Sequence, residues 1–416
     1  MAYLPNPNVE IADGPNLDAF SRLRVGIPKL RLSCLFDSDK RPLFWDESLT
    51  AGGTATFQPN ESCVYMTVTN VGDIALRQTK EYFVYRAAQS QLIFCTFVMD
   101  TEDANVLEEL GYFDDEDGLF LRRQGTSVSV VQRSYVSGAP VDTAVAQASW
   151  NLDPLDGTGP SGILLDLTKI QIFGIDFQGL GAGRVRYFFN IDGSIVYFHE
   201  NLNVNHSLTT VFLRRLRLPI RYRIEATGAP GAARTLKQIS STVIREGGDD
   251  EPGVETEGRS NASVNVGVAW KTVLGVRLKT SNLRAAIRLL GVQAFNLSAV
   301  YIEFMVILNP TYAGAPVWVP SDPVGIAEIS RFNATISVNA AGDPTVGHVY
   351  SLGGYVPGSS GTGVNTQVSV PTARTLEEGL PIVANIAGTP DEAWLCVRAS
   401  SGTADVLGIL QWEEER

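Results

Sequence analysis

Asp192-Gly193 sits midway between two runs of alternating side chains, Arg184–Ile191 and Ser194–Asn201. A type I′ turn needs positive φ at both central residues, and Asp-Gly supplies it, so this stretch must fold as a two-residue hairpin. In that register Asn190 faces Ile195, Phe188 faces Tyr197 and Arg186 faces His199. On the other side Phe189 faces Val196, Tyr187 faces Phe198 and Val185 faces Glu200. Aromatic residues occupy both sides, which predicts a central hairpin covered on both faces.

The rest of the chain repeats this grammar of short strands and turns. Leu30–Phe36 alternates, with Leu30, Leu32 and Cys34 expected on one face. Cys63–Val68, Tyr82–Tyr85 and Ser127–Arg133 continue the pattern, and Gln91–Met99 is almost wholly apolar, as in a strand covered on both sides. After Pro219, Ile220, Tyr222 and Ile224 point in while Arg221, Arg223 and Glu225 point out. Trp270–Leu278, Ala286–Leu290, Val300–Leu308, Ala393–Val397 and Ala404–Trp412 are further strands. One helix is predicted, over Glu102–Leu110, from the spacing of Val106, Leu107 and Leu110 and the stop at Gly111.

With 44% hydrophobic and 19% charged residues the chain has enough apolar surface to bury a core, and its 39 glycines and 21 prolines suit many turns. The expected fold class is all-β, an antiparallel β-sandwich of jelly-roll or lectin-like type. Residues 1–28 form an extended N-terminal arm, 29–311 the main sandwich, 312–370 a small β-subdomain or excursion, and 371–416 the closing strands of the main sandwich. Gly353–Gly363 reads as a flexible loop, and the acidic stretch Gly247–Gly258 as a solvated one. Met1–Leu17 has no basic start and no apolar segment, so no signal peptide is expected, and no run is long enough for a membrane span.

Few residues offer chemistry. The net charge of −12 argues against broad nucleic-acid contact. Cys34, Cys63, Cys95 and Cys396 lack ligand spacing and read as buried free thiols. No nucleophile elbow, zinc-protease motif, phosphate loop or dinucleotide fingerprint occurs. His199 and His206 flank Asn201, Asn203 and Asn205, a cluster that can bind a sugar or simply shape a turn. Asp176 and Glu200 are the two acids that a glycosidase groove would need, against a buried Asp176 paired with Arg184 or Arg186. Asp114, Asp115, Glu116 and Asp117 run contiguously, unlike a calcium loop, and read as a solvated turn. Arg214, Arg215, Arg217, Arg221 and Arg223 read as an ion-paired outer face or an interface to an acidic neighbour, with phosphate contact the weaker alternative. No catalytic, cofactor or metal residue is assigned.

Several segments nevertheless resemble one family in the same order along the chain. They are Asp18-Ala19-Phe20-Ser21-Arg22-Leu23-Arg24-Val25, Leu35-Phe36-Asp37-Ser38, Ile175–Arg186, Leu218-Pro219-Ile220-Arg221-Tyr222, Gln238–Val243, Leu308-Asn309-Pro310, Ser401–Val406 and Gln411-Trp412. From about residue 16 to 416 the sequence resembles uncharacterised tailed-bacteriophage virion proteins, departing from them at Gly179 (tryptophan expected) and Ser240 (cysteine expected). The resemblance implies a structural accessory of the virion, assembled in the host cytoplasm and not an enzyme. It would be a capsid decoration or cement protein that binds the major capsid protein and its own copies, as a trimer. The alternative is a tail or baseplate protein that binds host glycan, and a third reading is a polysaccharide hydrolase. The arm and residues 312–370 are the expected interfaces.

Overall fold

The computed structural model describes residues 17–19, 21–24, 26–87, 89–206, 208–247, 253–310, 312–313, 315–331, 337–338, 348–358, 366–371 and 381–415. Its sheets are antiparallel, and the only helical turns among the described residues are two 3-10 turns, Gln147–Ser149 and Thr280–Asn282. The chain divides into two compact units, residues 1–79 with 83–249 and residues 80–82 with 250–416. The sequence pattern predicts one sandwich to 311 closed by 371–416. The structure instead places a second sandwich after residue 249, and those closing strands belong to it.

In the first unit, sheet I runs in the order Ser194–Asn201, Val185–Ile191, Gln171–Phe177, Gln91–Val98, Arg234–Glu246, Cys63–Val68 and Thr54–Gln58. Pro28–Leu35 pairs with the remaining half of Arg234–Glu246. Sheet II runs Val141–Ala146, Ser127–Ser134, Gly118–Gln124, Val106–Phe113, Ile220–Ala226, Ile74–Thr79 and Trp45–Thr50. The core lies between them, with Ile93, Cys95, Phe97, Phe173, Ile175 and Phe177 from one sheet and Leu110, Tyr112, Leu119, Ile220, Tyr222 and Ile224 from the other. Each of these sits at every second position of its strand, as period-2 geometry requires.

The predicted helix is a strand, Val106–Phe113, paired on both sides. The period-2 signal through Val106, Leu110 and Tyr112 was hidden by Glu108, which lies on the same inward face and is buried against Arg123. The hairpin is also not central: Ser194–Asn201 is the edge strand of sheet I. The turn is as predicted, with φ of 50° at Asp192 and 80° at Gly193, and the pairs Asn190–Ile195, Phe189–Val196 and Phe188–Tyr197 hold. Beyond them a bulge leaves Phe198 as the extra residue, so Tyr187 meets His199, Arg186 meets Glu200 and Val185 meets Asn201. The one-residue slip turns Glu200 away from the core face, where it would oppose Val185, and toward Arg184, 3.2 Å away. A second bulge, between Leu30 and Leu32, turns Leu30 out to 56% exposure while Cys34 stays buried. Gln91–Val98 alternates buried and half-buried positions instead of being covered on both sides.

In the second unit, sheet III runs Val254–Arg259, Ala404–Glu415, Ala286–Asn296 and Thr366–Pro371, with Val264–Val266 also on Ala404–Glu415. Sheet IV runs Val319–Pro320, Ala327–Arg331, Lys271–Leu278, Glu392–Ala399, Ile302–Leu308 and His348–Val356. The acidic stretch expected to be a solvated loop ends in a strand, since Val254–Arg259 pairs with Glu414 to Ile409; residues 248–252 lie outside the described residues. Most described strands of the 312–370 excursion are built into these sheets, Ala327–Arg331 on Lys271–Leu278, His348–Val356 on Ile302–Leu308, and Thr366–Pro371 on Ala286–Asn296, while Tyr312–Ala313 and Ser337–Val338 pair with each other in a small sheet of their own. Gly353 to Val356, read as loop, is part of an edge strand, and residues 359–363 lie outside the described residues.

Candidate functional site

The charged residues singled out in the first unit are mostly tied to one another. Asp176 is fully buried and accepts hydrogen bonds from Arg24 at 2.7 Å, Arg186 at 2.5 Å and the Ser90 hydroxyl at 2.8 Å. Of the two readings for this acid, pairing with an arginine is the one observed, and the partner is Arg186; Glu200 pairs with Arg184. His199 is buried. Its Nδ1 accepts the Asn151 backbone N–H and its Nε2 meets Asn201 Oδ1, while burial lowers its pKa below the ordinary value. Asn203 is buried and donates to the Gly183 carbonyl, so this cluster shapes a turn and His206 stands apart on the surface.

The acidic turn leaves Asp115 in solvent, while Asp114 and Asp117 are buried and tied to the backbone. Asp114 accepts from the backbone N–H groups of Glu116 and Asp117, and Asp117 from those of Tyr135 and Arg214. Arg214 and Arg215 pair with Glu116, Arg221 with Asp115, and Arg223 with Glu109 and Glu225, which is the ion-paired outer face expected. All four cysteines are free and buried. Among the described residues no cluster of histidine, cysteine and acids could hold a metal ion.

One buried pair has a consequence for stability. Burial pushes the Glu108 carboxyl up from 4.5 to about 7, outweighing Arg123, whose Nε donates to it at 2.7 Å. The folded state therefore holds this proton more tightly than the unfolded chain. The contribution is fully present below pH 4.5 and is lost as the pH rises through about 7. Glu108→Gln removes that slope. Relative to the unmodified chain, the variant is expected to gain about 3 kcal/mol on passing from pH 4 to pH 8. Urea unfolding at the two pH values measures it, and an unchanged difference would contradict the assignment.

The second unit presents a different kind of surface. Among the described residues the exposed aromatic side chains are Phe44, Tyr301 and Tyr355, and two of the three meet at one place. Tyr301 is 54% and Tyr355 63% exposed, and their rings lie edge to face with centroids 6.4 Å apart. The strands explain the arrangement. Cross-strand register sets Tyr355, Glu303 and Arg398 in one row over three neighbouring strands of sheet IV, on the face away from the core. Tyr301 comes just before Ile302, the first residue of the middle strand. Gly353, two residues before Tyr355 on the edge strand, is exposed and puts no side chain beside the ring.

The polar groups of the row are positioned by one another. Glu303 Oε2 accepts from Arg398 Nε at 2.7 Å, and its Oε1 accepts from the Tyr355 hydroxyl at 3.2 Å. The Arg398 guanidinium lies 4.7 Å from the centre of the buried Trp270 ring, a cation–π contact that helps to fix its position. Two open aromatic faces beside a fixed carboxylate and a partly exposed guanidinium can take a ligand that is apolar on one face and rimmed with hydroxyl groups. The rings would cover the C–H face, the carboxylate would accept from hydroxyls and the guanidinium would donate to them.

Sequence reasoning missed this site for identifiable reasons. Tyr355 lies in Gly353–Gly363, whose glycines suggest a loop, and Tyr301 lies in Val300–Leu308, whose apolar run suggests a strand without marking which side chains face out. The alternation of Tyr301, Glu303 and Met305 against Ile302, Phe304 and Val306 was the available signal. The cluster that could have contacted a sugar, the Asn/His turn, is structural: His199 meets Asn201 and Asn203 is tied to Gly183.

No family model matches the chain, and no curated protein matches it. Among solved structures it is similar to the carbohydrate-recognition domain of Emp47p, with 12% identity, 51% of this chain and 93% of that one covered, and a TM-score of 0.33. It is similar to the catalytic domain of an endo-1,3-beta-glucanase (laminarinase) from Thermotoga petrophila, with 12% identity, 53% and 99% covered and a TM-score of 0.36. It is also similar to a protein of unknown function from Shewanella oneidensis, with 9% identity, 57% and 93% covered and a TM-score of 0.35. The expectation of a capsid decoration or cement protein on a phage particle is corrected here. No family model and no curated protein links the chain to a virion, and of the three solved structures named one is a carbohydrate-recognition domain, one a glucanase domain and one a protein of unknown function. The arm offered as an inter-subunit contact docks, over residues 17–24, on sheet I of its own chain.

Proposed function

We propose that this chain is a glycan-binding protein and that Tyr301 and Tyr355, with Glu303 and Arg398, form the binding surface. The observation that carries the reading is the pairing of the two most exposed aromatic rings among the described residues beside a carboxylate already fixed by a guanidinium and a phenol. Exposing a ring costs free energy unless something covers it, and a fixed polar rim limits what can do so. The reading is of binding without turnover. Glycoside hydrolysis needs two carboxyl groups flanking the bond, and Glu303 is the one acid in this row, engaged by Arg398. The pair Asp176 and Glu200 does not supply them, since each is neutralised by arginine.

The test is a titration of the purified chain against a panel of neutral and acidic oligosaccharides, with calorimetric readout. For any glycan bound, Tyr355→Ala and Tyr301→Ala are each expected to weaken affinity about tenfold, or ~1.4 kcal/mol. Phe44→Ala, which removes the third exposed ring, is expected to leave affinity unchanged. Binding that survives Y301A/Y355A undiminished would place the site elsewhere, and a panel without a single ligand would remove the reading.

A further inference from the structure

Tyr301 and Tyr355 are held in place by backbone that lies outside the row of charged groups. Asn296, the last residue of Ala286–Asn296, is 0% exposed. Its side-chain amide donates to the Val300 carbonyl at 2.7 Å and to the Pro357 carbonyl at 3.2 Å, and its Oδ1 accepts the Ser298 N–H at 3.0 Å. One buried amide therefore ties the residue just before Tyr301 to the segment just after Tyr355. Gly358 closes the same seam. A Cβ built there would stand 1.8 Å from the Ala299 carbonyl oxygen, so any other residue would push the two segments apart. The Tyr301 carbonyl accepts the Ser400 N–H at 3.0 Å, and the Tyr355 hydroxyl is held by Glu303. Both rings are thus anchored through their backbone, and Tyr355 also at its tip.

The geometry so fixed sets the ring planes 65° apart, with centroids separated by 6.4 Å. A sugar covers an aromatic ring by laying its C–H face parallel to it. Planes inclined at 65° cannot both lie parallel to one flat surface. Two rings this close can serve adjacent sugars, but only those of a chain that turns between them. The charged pair adds a second restriction. Glu303 and Arg398 neutralise each other, so the pair offers hydrogen bonds to hydroxyl groups and no net charge to hold an acidic sugar.

We propose that the site binds a neutral oligosaccharide whose linkage turns each sugar relative to the last, with one sugar on Tyr301 and its neighbour on Tyr355. Asn296 and Gly358 are then the positioning residues that set the turn the site accepts. This narrows the glycan-binding reading, on which it rests, to one class of chain. A β-1,4-linked chain of glucose or mannose is a flat ribbon whose apolar faces lie in parallel planes, so it can cover one ring and not the other. Glucose linked β-1,3 or α-1,4, and mannose linked α-1,3, turn at every linkage.

The test is a calorimetric titration of the unmodified chain with glucose and mannose hexamers of both linkage types. The turned chains are expected to bind about tenfold more tightly than the ribbons, the same factor as the loss of one ring. Asn296→Ala and Gly358→Ala leave both rings and both charged groups in place. At a temperature where circular dichroism shows each variant folded, both are expected to bring the two affinities close to equal, a change of ratio that lost stability alone does not produce. Ribbons bound as tightly as turned chains by the unmodified chain, or binding confined to sugars outside this set, would overturn the inference and leave the glycan reading standing. Full preference kept by both folded variants would overturn the role of Asn296 and Gly358. Binding of no glycan at all would remove the reading and the inference together. If neither variant folds, the linkage comparison in the unmodified chain decides by itself.

Discussion

Asp176→Ala is expected to lower the stability of the first sandwich by about 3–5 kcal/mol, because it removes the carboxylate that faces the buried Arg186 guanidinium. Asp176 is 0% exposed, and Arg186, its partner across the strand pair, is 1% exposed. The carboxylate also accepts from Arg24, from Ser90 and, at 3.3 Å, from the Tyr197 hydroxyl. The Arg186 guanidinium lies 4.4 Å from the centre of the Tyr197 ring, so it cannot swing to water without unpacking that ring. Glu200→Ala provides the contrast. Its pair with Arg184 is partly exposed on both sides, and its loss is expected to cost roughly 0–1 kcal/mol. Urea unfolding of the two variants against the unmodified chain checks both numbers. Equal and small losses would mean that Asp176 is not the anchor of this face. Replacing both partners, as D176L/R186M, is expected to recover much of the loss, since an ion pair in the interior is worth little more than a well-packed apolar pair.

How far the sequence showed this in advance varies with the physics at each position. The strand Ile220–Ala226 was legible because its apolar and charged residues alternate without interruption, and Ile220, Tyr222 and Ile224 do fill the core. The hairpin turn was legible because Asp-Gly has a local conformational reason to be there. The register beyond it was not, since a bulge at Phe198 is decided by what the edge strand packs on, here Trp150, whose ring lies 4.1 Å from that of Phe198. Glu108 hid a central strand for a related reason, because a charge on an inward face looks like a helix's polar side until its buried arginine is known. The boundary between the two sandwiches was invisible to composition. The acidic residues Glu255 and Glu257 that suggested a loop sit on a strand of sheet III, opposite Glu413 and Gln411. The candidate binding surface depends on three strands brought together from residues 301–303, 355 and 398, and only the fold places those in one row.

The second large effect concerns that surface indirectly. Trp412→Ala is expected to destabilise the second sandwich by about 3–5 kcal/mol, the cost of removing a large ring from a core that cannot close over the gap. Trp412 is 0% exposed and sits on Ala404–Glu415, the strand that pairs with Val254–Arg259 on one side and Ala286–Asn296 on the other. Its ring lies close over Gly258: a Cβ built on that residue would stand 3.1 Å from the Trp412 six-membered ring. Backbone on both flanks is held by sheet hydrogen bonds, so the cavity has little room to collapse. A loss of this size is a large part of a domain's usual 5–15 kcal/mol. Tyr355, Glu303 and Arg398 lie on the face of sheet IV away from the core that holds Trp412, yet their alignment depends on this sandwich. Glycan binding by the W412A chain is therefore expected to match the unmodified chain at low temperature and to fall away at the temperature where the second unit melts. Binding that is lost at every temperature would mean that the core ring shapes the surface directly. A melting temperature unmoved by W412A would mean that the core of this unit is not the one described.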